Sequence, residues 1–394
     1  MLSPQDLETS SDRRYRLLAA LTWTLFIVLV VVARWGTGPS TGNVFTIYRE
    51  ASLRWDAGEP LYDGRFLYLP SSAMAFAPIA ALPFTIGGAL WRALNILVFA
   101  CGTWRMVELR RGRQAGLRLL VTALFTALLS WSAARHGQMT LAMGGLLMLG
   151  IVSLARGRDW RCAWLLGAAV AVKPLALAAL PILTIVCPRL GWRLALALVC
   201  VFAAPFAVQE PGWVIEQYAS WRETLVARAQ MADQRAFPQG IWLLRHAGLA
   251  IEPVAADLLR VCAGVAAAGL SVRACRTRGW AEAAPYLLAF VSGLILLFSP
   301  CTEHNTYALA APALGMFAAI ALVRRERRSW RVFLIVLLLS LASHRLQRAL
   351  PGPLPGMVKP IACLLFLATL TAGLAGAHAP PVAPAASRGW GEAS

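Results

Sequence analysis

Three short groups of polar residues interrupt apolar sequence where chemistry could be done. Lys173 stands in the run AVAVKPLALA, where an ammonium costs several kcal/mol unless it faces a cavity or a partner. Pro174 follows it and breaks the helix there, freeing backbone groups. A lysine so placed suits an anionic phosphate; the plainer alternative is an ammonium that snorkels to a headgroup. Arg135-His136-Gly137-Gln138 makes a polar island between two apolar runs, a composition that a plain turn shares. In SPCTEHN, Glu303, His304 and Asn305 form a third group, in which Glu303 and His304 together could orient a hydroxyl or a phosphate. A further set of carboxylates, Glu50, Asp56 and Asp63, lies in IYREASLRWDAGEPLYDG.

The elements that must position these residues follow from composition. The chain has 394 residues, 58% hydrophobic and 14% charged, with mean hydropathy +0.61, whereas a soluble domain carries roughly a quarter charged residues. The missing charge is concentrated between apolar stretches of about 18 to 22 residues, the length of a helix across a bilayer core. In lipid the backbone must bond to itself, so these stretches become helices. Candidate spans fall at 17–34, 68–84, 86–106, 116–134, 139–155, 161–187 (broken at Pro174), 192–208, 253–273, 281–299, 304–323, 331–346 and 357–377. The expected fold is all-α: a polytopic membrane protein of eleven or twelve transmembrane helices, with a single domain over 1–377 and a Pro/Ala/Ser-rich tail, 378–394, expected to be disordered on the cytoplasmic side.

The net charge of +18 would suggest nucleic-acid binding in a soluble protein. Here arginines cluster at the ends of apolar segments, the positive-inside pattern, and no nucleic-acid partner is expected. Lysine is nearly absent, occurring only at 173 and 359. Clusters at 105–118, 156–161, 188–193, 273–278 and 324–331 should be cytoplasmic, leaving 35–67, 209–250, 299–304 and 345–356 on the other face of the cell membrane. With both 68–84 and 86–106 crossing fully, the cluster 105–118 would fall on the wrong side; three prolines in 68–84 favour a short re-entrant or interfacial helix there. The two long outer loops hold Tyr48, Arg49, Tyr62 and Tyr68, and Gln234 and Arg235. Their length exceeds that of mere connectors, and segments 43–57 and 212–230 could lie as amphipathic helices on the outer leaflet. There is no Walker A loop, GxGxxG, HExxH or GxSxG, and no metal-ligand spacing among the eight cysteines. No cofactor or metal is expected.

IYREASLRWDAGEPLYDG followed by FLYLPSSAMAFAPIAALPF resembles the first outer loop of glycosyltransferase family 87, membrane enzymes of the GT-C superfamily that include polyprenol-phosphate-mannose-dependent mannosyltransferases. WRALNIL, HGQMTLAMGGLLMLGI, AVAVKPLAL with RLGWR, DQRAFPQGIWLLR and SPCTEHNTYALAAPAL continue the resemblance in order over roughly 43–320. It implies a GT-C-like bundle that moves a hexose, mannose foremost, from a polyprenyl-phosphate donor to a hydroxyl of a lipid or glycan acceptor at the extracytoplasmic face, with inversion. Such chemistry needs a carboxylate to take the acceptor proton and cations to stabilise the departing phosphate. Glu50, Asp56 and Asp63 are the candidate bases, and Lys173, Arg135, His304 and Arg235 the candidate phosphate partners. Tyr48, Arg49, Tyr62, Tyr68, Gln138, Gln234 and Glu303 are the candidates for positioning substrate.

One departure matters. Where much of the family has an aspartate, four residues before the loop's first tyrosine, this chain has Val44, with Asn43 beside it. If 43–57 is helical, Asn43 and Glu50 share a face, which makes Glu50 the first substitute. A lipid or small-molecule transporter and a catalytically silent relative of the family are the alternatives.

Overall fold

A computed structural model describes residues 4–38, 43–62, 65–110, 112, 114–234, 239–299, 302–349 and 354–375. Asp63, Arg235 and the tail 378–394 lie outside the described residues. Among those described there is no strand. The order is α1 (Pro4–Val32), α2 (Phe45–Ala57), α3 (Pro70–Ala80), α4 (Phe84–Glu108), α5 (Ala115–Arg135), α6 (Thr140–Ala155) and α7 (Asp159–Val172). A 3-10 turn over Pro174–Ala179 leads to α8 (Leu180–Val186), α9 (Leu190–Ala203), α10 (Pro211–Gln234) and α11 (Gly240–His246). Then come α12 (Pro253–Arg278), α13 (Trp280–Phe298), a second 3-10 turn over His304–Ala310, α14 (Ala311–Val323), α15 (Arg327–Ala349) and α16 (Leu354–Ala375).

The molecule is an all-α, polytopic membrane protein. Eight described segments are each long and apolar enough to cross a bilayer: 10–32, 84–108, 115–135, 190–207, 253–278, 280–298, 304–323 and 356–375. Shorter apolar helices at 140–155 and 174–186 accompany them. On α12, Val254, Leu258, Val261 and Val265 are each more than 60% exposed; repeating every three or four residues, they form an apolar stripe of the kind a helix presents to lipid. Against this, α13 and α14 are nearly all buried. Helices α4 and α6 approach so closely that a Cβ on Gly145 would lie 2.5 Å from the Val98 carbonyl oxygen, and one on Gly102 2.7 Å from that of Gly145. Small residues permit this backbone contact where lipid supplies no hydrophobic drive between helices.

The arginine clusters gather at one end. Arg16, Arg105, Arg110, Arg156 and Arg158 line one cavity there, Arg110, Arg278 and Arg324 line a neighbouring one, and Arg189 pairs with Asp159 at 3.1 Å. At the opposite end, α2 and α3 pack together. With 11 residues, α3 is about 16 Å long, half of a bilayer core, so 68–84 is a short helix rather than a crossing. Phe45, Tyr48 and Trp55 are buried with Phe76, Trp91 and Val214 in an aromatic cluster. The aromatic residues of α2 therefore pack on their own chain rather than on a leaflet.

Candidate active site

The polar island after α5 is a turn built entirely by its neighbours. The Arg135 carbonyl accepts from Arg34 Nε at 3.1 Å and Arg92 Nε at 3.2 Å. The His136 carbonyl accepts from the Val44 amide at 3.1 Å, and the Gly137 carbonyl from Trp91 Nε1 at 3.0 Å. Gly137 has φ +68°, a left-handed conformation that glycine takes without strain. Three consecutive carbonyls are thus satisfied from the turn after α1, the residue before α2, and α4, which fixes the direction of the side chains that follow. Arg92 is buried and also donates to Gly88 O at 2.8 Å and Asn43 Oδ1 at 2.7 Å. Its partners are all neutral oxygens.

Past this turn the chemistry-bearing groups meet. Gln138 Nε2 donates to Glu303 Oε2 at 3.2 Å. The next amide, Met139 N, donates to the Tyr48 hydroxyl at 3.3 Å, and that hydroxyl is 2.9 Å from the hydroxyl of Tyr68. Tyr62 donates to the Tyr68 carbonyl at 2.9 Å. One residue further on, Thr140 Oγ1 accepts from Lys173 Nζ at 2.9 Å. Lys173 is extended, with φ −152° and ψ 116°, in the gap between α7 and the 3-10 turn, and the Glu303 carboxylate is close enough for its charge to act on it. Burial, then Tyr68 and the Glu303 charge, raises the Tyr48 phenol well above its ordinary value. Burial likewise raises Tyr68 and Tyr62. All three stay neutral hydroxyls, able to donate and to accept.

Beside this cluster opens a cavity of about 370 Å³, lined among others by Ser132, His136, His304, Asn305, Tyr307 and Lys359. Lys359 Nζ donates to the His304 carbonyl at 2.8 Å and lies 5.9 Å from the centre of the Tyr307 ring. The polar groups sit where α5 ends, α16 begins and the second 3-10 turn starts. The apolar lining, including Leu128, Leu314, Val336 and Phe366, lies farther along the same helices. From Lys359 to Phe366, or from His136 to Leu128, the lining runs on the order of 10 Å toward the middle of the bundle at 1.5 Å per residue. A rim bearing an ammonium, imidazoles and hydroxyls thus stands above an apolar shaft.

The structure brings Tyr48, Tyr62, Tyr68, Gln138, Lys173 and Glu303 together and sets His304 on the adjoining cavity. Other expected site residues lie elsewhere. Glu50 is paired with Arg65 at 3.1 Å, with side chains 43% and 59% exposed, and Asp56 is exposed. The anticipated shared face of Asn43 and Glu50 does not form, because α2 begins at Phe45 and leaves Asn43 outside it. The Arg135 side chain is exposed; its contribution is the carbonyl. Arg49 is half-buried on α2, and its buried Nε has no hydrogen-bond partner among the described residues. Gln234 ends α10 with its side chain outside the described residues. His136 and Asn305, members of two of the polar groups singled out in the sequence, also line the cavity, whereas Lys359 belongs to none of those groups. Lys359 carried a readable signal, since Lys359-Pro360 repeats in MVKPIACLL the lysine-proline break of Lys173-Pro174.

The profile of glycosyltransferase family 87 matches residues 66–300, more than half of the chain and the stretch from α3 to the end of α13. The chain belongs to glycosyltransferase family 87. No curated protein sequence matches it. Among solved structures, this family 87 chain is similar to ArnT from Cupriavidus metallidurans. The crystal structure bound to undecaprenyl phosphate has TM-score 0.42 and 19% identity over 91% of this chain and 77% of that one. The apo structure has the same score and identity over 90% and 78%.

Proposed function

We propose that this membrane glycosyltransferase transfers a hexose, mannose foremost, from a polyprenyl-phosphate donor to a hydroxyl of a lipid or glycan acceptor, at the extracytoplasmic face of the cell membrane and with inversion. Membership of family 87 supports sugar transfer as the reaction. The observation that carries the donor assignment is the cavity, whose polar rim of His136, His304, Asn305 and Lys359 tops an apolar shaft beside the Gln138–Glu303 contact. The lipid phosphate would rest on the rim, its chain in the shaft, with the sugar directed toward the cluster of Tyr48, Gln138, Lys173 and Glu303. Lys359 on the rim would stabilise the charge that develops on the departing phosphate, which is where an enzyme gains rate rather than mere affinity. The arginine-rich end lies opposite, and positive-inside orientation makes that end cytoplasmic.

The test is turnover by purified protein in lipid nanodiscs given synthetic polyprenyl-phosphate mannose, with octyl mannoside or a membrane lipid extract as acceptor. Stoichiometric release of polyprenyl phosphate with formation of a mannosylated acceptor is the expected result. Lys359→Met should raise the donor KM about tenfold, the loss of one charge-assisted contact. Movement of intact donor across proteoliposome membranes without sugar transfer would instead establish the transporter alternative.

A further inference from the structure

Family 87 chemistry needs a base for the acceptor hydroxyl, and the position where the family's aspartate is expected holds Val44. Val44 cannot take a proton, and neighbouring Asn43 is a neutral amide whose oxygen is engaged by Arg92 at 2.7 Å. Asp63 and the Asp233 side chain lie outside the described residues; among the described ones, the acidic side chains of the site end differ in their surroundings. Glu50 lies in its ion pair with Arg65 toward solvent. Asp56, Glu59, Glu210, Glu216, Glu223 and Glu252 are exposed. Glu303 differs from all of these. It is half-buried at the mouth of the second 3-10 turn, anchored through Oε2 by Gln138, and its charge reaches Tyr48, Tyr68 and Lys173. The next residue, His304, lines the cavity proposed above for the lipid phosphate. The sequence thus puts a carboxylate and a phosphate-side imidazole on adjacent residues at the border between cluster and cavity.

We infer that Glu303 is the catalytic base of this chain, in place of the aspartate that the family resemblance would put at Val44. The inference rests on the transferase reading above. In the step, the acceptor oxygen forms its bond to the anomeric carbon while its proton passes to the free Oε1 of Glu303. The bond from the anomeric carbon to the phosphate oxygen breaks, and its electron pair leaves with the polyprenyl phosphate. Gln138 holds Oε2 so that the other oxygen faces the acceptor, and Lys173 offsets the carboxylate charge before the proton arrives.

The experiment compares full-length wild type, Glu303→Gln and Glu303→Asp in nanodiscs, using the same donor and acceptors and the donor-induced rise in Tm as the binding readout. Glu303→Gln keeps the side-chain shape and should bind donor normally, while turnover falls about a hundredfold or more, the usual scale of a lost general base. Glu303→Asp should keep a measurable rate whose pH profile retains an acid limb, and Glu303→Gln should lack that limb. Turnover of Glu303→Gln within about threefold of wild type overturns the inference. Equal loss of donor-induced stabilisation and turnover in both variants also overturns it, since that is the signature of a structural role. Abolished turnover in Glu50→Gln with normal turnover in Glu303→Gln would place the base in the first loop. A wild type that never releases polyprenyl phosphate defeats the transferase reading itself, a result distinct from any of these.

Discussion

At the scale of single residues, the site is held by hydroxyls and carbonyls more than by charge. The Tyr48 hydroxyl joins two parts of the chain, the Gln138–Met139 turn through the Met139 amide and the first loop through Tyr68. Tyr48→Phe removes both links from a buried site and should lower stability by about 1 kcal/mol per bond, read as a fall in Tm in detergent. Turnover should fall as well, because Gln138 is then held less firmly against Glu303. Two lysines in 394 residues both precede proline in apolar sequence, and in both cases the ammonium finds an oxygen at the site end, Thr140 Oγ1 for Lys173 and the His304 carbonyl for Lys359. The first was legible because the break falls in mid-run. The second was equally legible by the same rule, though an ammonium near a helix start also reads as snorkelling. Glu50 shows the opposite case: helical spacing gave it a face, and the partner that draws it to the surface, Arg65, comes from beyond the helix. No periodicity within α2 carries that information.

At the scale of elements, apolar runs fixed nearly every helix, since lipid leaves the backbone no other partner than itself. What they did not fix was packing. The contact of α4 with α6 depends on Gly102 and Gly145, whose absent side chains let Val98 and Gly145 carbonyls approach. Gly145→Val would place a branched side chain against backbone that cannot yield, and overpacking of this kind costs about 1–3 kcal/mol. A fall in Tm without change in oligomeric state is the expected measurement. Because α4 also carries Trp91 and Arg92, which hold the Gly137 and Arg135 carbonyls, the same variant should lower turnover more than a lipid-facing change such as Val261→Ala. The divided span of α7, the 3-10 turn and α8 was legible at Pro174, and the short α3 at Pro70 and Pro83, whereas Pro78 sits inside α3 without ending it. Proline marks both because it lacks the amide a continuous helix needs.

At the scale of the whole molecule, two chemically different ends are separated by the bilayer-spanning bundle. One gathers Arg16, Arg105, Arg110, Arg156, Arg158, Arg278 and Arg324; the other carries α2, α3, the tyrosine chain and the cavity. Single cysteines introduced on a cysteine-free background at Gln114 and at Asp56 should label from opposite sides of the membrane with an impermeant maleimide, Asp56 from outside intact cells. The cavity itself could not be read from sequence, since α5, the second 3-10 turn, α14, α15 and α16 each contribute only a few residues to it from positions spread over more than two hundred. The most direct test of the account is where the donor lipid lies. A polyprenyl-phosphate sugar with a photoreactive diazirine on its first isoprene unit, irradiated with the purified protein and mapped by mass spectrometry, should mark peptides containing Leu128–Ser132, Tyr307–Leu314 or Lys359–Phe366, and Lys359→Met should weaken that labelling. Labelling confined to the exposed stripe of α12, unchanged by Lys359→Met, would contradict it.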